Sequence, residues 1–228
     1  PAIVEPCRFL ERLGARITWL PVDAAGRVDP DDLSRSIHGE TILISIMHAN
    51  NEVGTIQPVE DCAHIAREHG IPFHTDAAQS VGKIPTKVPA PAPALLTRAA
   101  HPTDAPTRIG ARTLREGKPL EPLIHGAGHE LGRRAGTESA LLTAALGEAC
   151  ALAADLSGID RVRTLRDRLW AEMKRHFAEK VHINGHMKDR LPNTLNVSFL
   201  DHAGHDILAR LPELAASTGS ACHTGRVE

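Results

Sequence analysis

The sequence predicts an α/β fold built on a parallel sheet with helices on its faces. Two observations carry this expectation. Through the first 87 residues the apolar spacing alternates between helical and strand-like periods. The strand-like runs also stop abruptly at polar residues, as strands do when they feed ligand-binding loops at their carboxyl ends.

In order, "AIVEPCRFLERLG" has helical spacing and a stop at Gly14, and "ARITWLPV" reads as a strand. "DPDDLSRSI" starts with acids and an early proline, a good helix start. "TILISIMHA" reads as a buried strand, "PVEDCAHIAREHG" as a helix stopped by Gly70, and "IPFHTD" as a further strand. The loops "HANNEVG" and "HTDAAQ" then fall at strand carboxyl ends. Downstream, "TESALLTAALGEACALAADL" and "GIDRVRTLRDRLWAEMKRHFAEK" predict two long helices. "VHING" and "NTLNVSFL" follow as strand-like runs, then a helix from about Gly204 to Leu211. This change of pattern predicts a large domain over 1–157 and part of a small α/β subdomain over 158–228.

Between the halves, 89–117 has proline at 89, 91, 93, 102 and 106. Alternating Pro-Ala favours extended polyproline geometry, so the segment is expected to be a linker or surface loop without helix or central strand.

A chain of 228 residues, 42% hydrophobic, can bury a sizeable core. The net charge of -2 gives no sign of a polyanion-binding surface. Arg161 to Arg168 are interspersed with acids and read as a solvated helix face rather than a nucleic-acid site. No apolar run approaches the ~18 residues of a membrane span, and no signal peptide is visible. Residue 1 is Pro, as in a processed chain or a fragment. Four widely spaced cysteines make no disulfide framework and favour a reducing, cytoplasmic setting. Cys7, Cys62 and Cys150 lie in helical patterns and read as small core residues.

Three features carry candidate chemistry. Asp76 ends an apolar run, with Gln79 three residues on. It is either a helix N-cap or a carboxylate that holds a proton on a ring nitrogen, as an electron-sink cofactor requires. Asn51, after the preceding strand, could donate to an oxygen on the same ring. Cys222 sits among small residues in "STGSACHTG", which favours an exposed, reactive thiol over an inert one. "GHELGRRAGTES" precedes a long helix and suits anion binding there, or an ordinary Thr137 cap with Glu138 in the first turn. The 14 histidines lack the HExxH pattern or a paired-cysteine framework, which argues against a catalytic metal.

Taken together, "PAIVEPCRFLERLGARITWLPVD", "MHANNEVGTIQPVE", "HTDAAQSVGK", "HGAGHELGRRAGTES", "LPNTLNVSF" and "STGSACHTG" resemble, in order, the blocks of the cysteine desulfurase (NifS-like) family. These are pyridoxal-phosphate enzymes of aminotransferase class V. The resemblance covers nearly all of the chain outside the Pro-rich segment and implies a fold-type-I transferase. It implies that Asp76 pairs with the pyridinium nitrogen, and that Asn51 and Gln79 hydrogen-bond the ring oxygen. Thr137 would reach the cofactor phosphate of the partner subunit in a homodimer, and Asn193 would help hold the substrate carboxylate. Cys222 would take sulfur from L-cysteine as a persulfide, releasing alanine, and would be a transient iron–sulfur ligand. The sulfur would pass to an iron–sulfur scaffold or another acceptor. Selenocysteine lyases share much of the pattern, and a non-catalytic dimerising remnant is a third reading.

The chain departs from the family where a "GHK" motif carries the Schiff-base lysine. Laid over that block, "AAHP" puts His101 on the motif histidine and Pro102 on the lysine. The right length with other residues is what compensating frame shifts would leave, and resequencing the coding DNA tests this. Of the six lysines, Lys83 and Lys87 are nearest in sequence to Asp76 and Gln79, at positions the family does not use for this bond. Activity is therefore expected to be impaired. The family's phosphate-binding loop, ring-stacking histidine and carboxylate-gripping arginine also lie outside the chain, and poor solubility is expected.

Overall fold

A computed structural model describes residues 2–86, 95–99, 106–115 and 120–219. Helix α1 (Val4–Arg12) ends as expected before Gly14. Residues 15–22 run without pairing to any described strand, which corrects the expected strand there. Apolar alternation alone does not make a strand; the backbone needs a ladder partner. Helix α2 (Pro30–Ser36) is capped by Asp29, whose side chain accepts from the Asp31 N–H.

The first sheet has the order β1 (Ile44–Ser45), β2 (Phe73–Asp76), β3 (Leu95–Ala99), β4 (Gly110–Leu114). β1–β2 and β2–β3 are parallel and β3–β4 is antiparallel, so the sheet is mixed and mostly parallel. Helix α3 (Val59–Glu68) crosses between β1 and β2. Ile44 and Ile46 are buried while Ser45 is exposed, so this run is buried on one face rather than two. Beyond β1 the chain still follows β2, with Ile46 N–H donating to His74 O and His48 N–H to Asp76 O.

The Pro-rich interval contains both β3 and β4, against the expectation of a structureless linker, and β3 is central among the described strands. The reason lies in the spacing. "LLTRA" and "GARTL" are proline-free windows, so neither ladder loses an N–H.

Period-two alternation divides the sheet's faces. Ile44, Phe73, Thr75 and Leu96 share one face, where Leu33 of α2 and Cys62, Ala63 and Ala66 of α3 complete a core. Ser45, His74, Asp76, Leu95 and Thr97 share the other, which is mostly polar. Burial pushes the Cys62 thiol up to about 11, in keeping with a structural role. Cys7 and Cys150 are only half-buried.

Helix α4 (Ala140–Ala153) is apolar apart from Thr143 and Glu148, with Leu141 and Leu152 exposed, although such helices are normally covered. Helix α5 (Ile159–Phe177) leads through a 3-10 turn to β5 (Val181–Asn184), which pairs antiparallel with β6 (Asn196–Phe199). Helix α6 (Gly204–Ala209) follows. Among the described residues, no helix is long and apolar enough to cross a membrane. The Arg161 to Arg168 face is not wholly solvated. The Arg166 side chain is 10% exposed and donates 2.7 Å to Leu191 O as well as pairing with Asp167.

Candidate functional site

Two loops leave the carboxyl ends of the adjacent parallel strands β1 and β2, where ligands of such sheets bind. The first, His48–Gly54, is folded by Asn50. Its Oδ1 accepts from the N–H groups of Glu52 and Val53 at 2.8 and 2.9 Å. Asn51 is exposed, and no described residue hydrogen-bonds its side chain. The neighbouring asparagine thus builds the loop, and the Asn51 amide is left exposed beside it.

The second loop begins at Asp76. Its Oδ1 accepts from Ala78 N–H at 2.9 Å, opening a helical turn through Ile84. Ala77, Ser80 and Val81 are buried, so the turn presents Gln79 and Lys83 on its other side. Lys83 Nζ donates to Gln79 Oε1 at 2.9 Å. The bond from His48 N–H to Asp76 O ties the two loops at their roots.

His74 was not anticipated as a site residue. It stands two positions before Asp76 in a strand, which places both on one face. Its ring is hydrogen-bonded on both sides, to Ser45 Oγ at 2.8 Å and Thr97 Oγ1 at 2.9 Å. Burial holds its pKa below the usual 6.5, with nearby Asp76 pulling the other way. His48 is likewise lowered, chiefly by burial. Both rings are therefore favoured neutral, and the unfolded chain binds more protons than the folded one below about pH 6.5. That contribution to stability is complete above 6.5 and is lost as pH falls through the folded pKa values. The variant His74→Gln should show a flatter dependence of unfolding free energy on pH between 6.5 and 5 than the parent chain, measured by urea melts. Identical slopes would overturn the assignment.

A third segment packs on the first loop. Leu191 N–H donates to Gly54 O at 2.8 Å, and Ile56 N–H to Asp189 O at 2.9 Å. The Asn196 amide reaches Glu52 O, and His186 N–H donates to Thr55 Oγ1. Arg190, 5% exposed, donates through Nη2 to Val53 O and to Asn184 O. Asn193 is exposed on the 191–194 turn that this network pins. The sequence placed Arg166 only in a solvated face and did not single out Arg190.

Thr137 is exposed and does not cap α4; Ser139 does, accepting from Leu142 N–H, and the first turn carries no acid. Glu138 Oε1 instead accepts from Glu130 N–H, and backbone hydrogen bonds hold the Glu138 carboxyl below its usual range. Thr137 does not join the other candidates. The end of α4 near Gly82 is Ala153, and Thr137 precedes the opposite end, roughly 20 Å away at 1.5 Å per residue. His101, Pro102 and Cys222 lie outside the described residues. A surface cleft lined by Asp23, Arg27, Asp29, Asp32 and Asp61 contains none of the candidates. Among the described residues, no group of three or more His, Cys, Asp or Glu is placed to hold a metal ion.

The sheet order and the loops at adjacent strand ends define an α/β protein, and its likeness to solved NifS-like structures places it in the fold-type-I class. The aminotransferase class-V profile matches residues 1–227, and the chain belongs to that family. It is similar to the cysteine desulfurase IscS of Dictyoglomus turgidum, with 45% identity over all of this chain and 58% of that protein. It is also similar to the solved structure of a NifS-like protein, at 33% identity and a TM-score of 0.82, over 93% of this chain and 58% of that one. SspA solved in complex with cysteine matches at 33% identity and a TM-score of 0.81, over 96% of this chain and 61% of that one. The chain thus spans less than two thirds of the length of these relatives. Class-V aminotransferases and IscS-type desulfurases are pyridoxal-phosphate enzymes.

Proposed function

We propose that this chain carries the cofactor-ring and substrate loops of a pyridoxal-phosphate-dependent cysteine desulfurase. The observation that carries the reading is the convergence of Asn51, Asp76 and Gln79 on loops from adjacent strand ends, with the Asn193 turn pinned to the first loop. The donor set fits the cofactor. Beyond Ala78 N–H, no other described group hydrogen-bonds the Asp76 carboxylate, leaving it able to receive an N–H from a ring nitrogen.

Bound there, the cofactor supplies an electron sink for the substrate's α-carbon. Asp76 keeps the proton on the ring nitrogen, and Asn51 and Gln79 orient the ring through its oxygen. Asn193 orients the substrate carboxylate. Cys222 is the thiol that accepts sulfur from L-cysteine as a persulfide, alanine being the other product. An iron–sulfur scaffold or another acceptor takes the sulfur on. Thr137 serves the phosphate of a partner subunit, and its distance from Gln79 within one chain supports that division of labour. The exposed apolar surface of α4 supports a homodimer. His101 belongs to the same pocket by resemblance, and a cytoplasmic setting suits the chemistry. The domain division near residue 158 is part of this reading, the four-stranded and two-stranded sheets falling on either side of it.

Titration with pyridoxal phosphate, followed by visible absorbance and tryptophan quenching, tests the pocket. Asp76→Ala should weaken retention by about tenfold or more, as expected for a lost charge-assisted hydrogen bond. Equal retention by parent and variant would remove Asp76 from the site. Alanine formed from L-cysteine, with sulfide released by added thiol, tests the reaction.

A further inference from the structure

The turn that follows Asp76 places an amine beside the ring-orienting amide. Gln79 and Lys83 are four residues apart on one side of that turn, and Lys83 Nζ lies 2.9 Å from Gln79 Oε1. Both side chains are half-buried, while Ala77, Ser80 and Val81 on the other side anchor the turn in the core. From these positions we infer that Lys83 is the amine that bonds covalently to an aromatic aldehyde held in this pocket. The inference rests on the cofactor reading above, because that reading puts the ring oxygen against Gln79.

The chemistry then follows from the aldehyde's own layout. In pyridoxal phosphate the ring hydroxyl and the aldehyde are on adjacent ring carbons. An amine that shares Gln79 with the ring oxygen is therefore a near neighbour of the aldehyde carbon. The neutral amine can keep one N–H on Gln79 while its lone pair attacks. A C–N bond forms, and proton transfer gives a carbinolamine. The carbonyl oxygen leaves as water with both amine protons, and a C=N bond remains. No oxidant or reductant takes part. Elsewhere among the described residues, Lys174 lies on α5 with Nζ donating to Ala178 O and Glu179, and Lys180 and Lys188 are exposed rather than half-buried beside Gln79. The resemblance lays Pro102 on the family's lysine, so this chain has need of another amine.

The experiment incubates the full chain with equimolar pyridoxal phosphate, reduces with borohydride, and maps the phosphopyridoxyl mass to tryptic peptides. The expected result is one adduct on Lys83, at least tenfold above any other lysine. Lys83→Arg should keep the donor bond to Gln79 and the urea midpoint but lose the adduct entirely. Retained cofactor with no adduct on Lys83, or labelling spread evenly over the lysines, would overturn the inference while leaving the cofactor reading standing. Failure of the parent chain to retain the cofactor at all would overturn both.

Discussion

Arg190→Ala should lower the unfolding free energy by about 3 kcal/mol, read as a shift of the urea midpoint at constant slope. The guanidinium is buried, and one of its nitrogens serves two carbonyls from distant segments, Val53 O and Asn184 O. Truncation strands both carbonyls and leaves a void where the side chain stood. The opposing effect is real. Nε and Nη1 are buried with no hydrogen-bond partner among the described residues, and burial together with the Arg166 cation pushes the Arg190 pKa down. The guanidinium thus carries a desolvation penalty that its removal would relieve. Arg190→Met separates the two. It restores most of the packed volume without a donor, and a loss of about 1–2 kcal/mol is expected. A Met variant as stable as the parent would mean that desolvation cancels the two hydrogen bonds.

Gly54→Ala should cost a comparable amount, about 2–4 kcal/mol, because two independent obstacles coincide. The backbone there has φ of +79°, and a Cβ would lie 2.9 Å from Thr194 Cβ and 3.1 Å from its Cγ2. This glycine is where the loop bearing Asn51 meets the turn bearing Asn193. The substitution should therefore loosen the Asn51 loop and the Asn193 turn together. Pairing it with Thr194→Gly removes the collision and leaves the dihedral penalty of about 1–2 kcal/mol, so the double variant should recover part of the loss. Gly39→Ala is the control. That position has no positive φ and nothing within 4 Å of an added Cβ, and a change within about 0.5 kcal/mol is expected.

The sequence was informative where structure is local. β2 and its terminal acid were readable because a short apolar run ending in Asp76 is a statement about five or six consecutive residues. Helices α1 to α6 were readable from period and punctuation, Gly14 and Gly70 included. Pairing is not local, and there the reading failed in both directions. Residues 15–22 alternate like a strand yet meet no partner, while "LLTRA" was hidden by the prolines around it. The alternative of a Thr137 cap on α4 falls two residues short, Ser139 being the better cap of two residues that can both serve. His74 could have been found by counting two back from Asp76 along a strand. Arg190 could not. Its partner Val53 is 137 positions away, and nothing near it in the chain hints at a shared interior.

The proline-free windows have one more outcome. β3 is stitched to β2 from Leu95 to Thr97 and to β4 along its whole length. Pro93 stands two places before Leu95 and Pro102 three places after Ala99. Sliding this strand by two residues one way, or three the other, would thread an imino acid into the weave. Slips of that size are therefore disfavoured, which supports the observed alignment with Thr97 opposite Asp76.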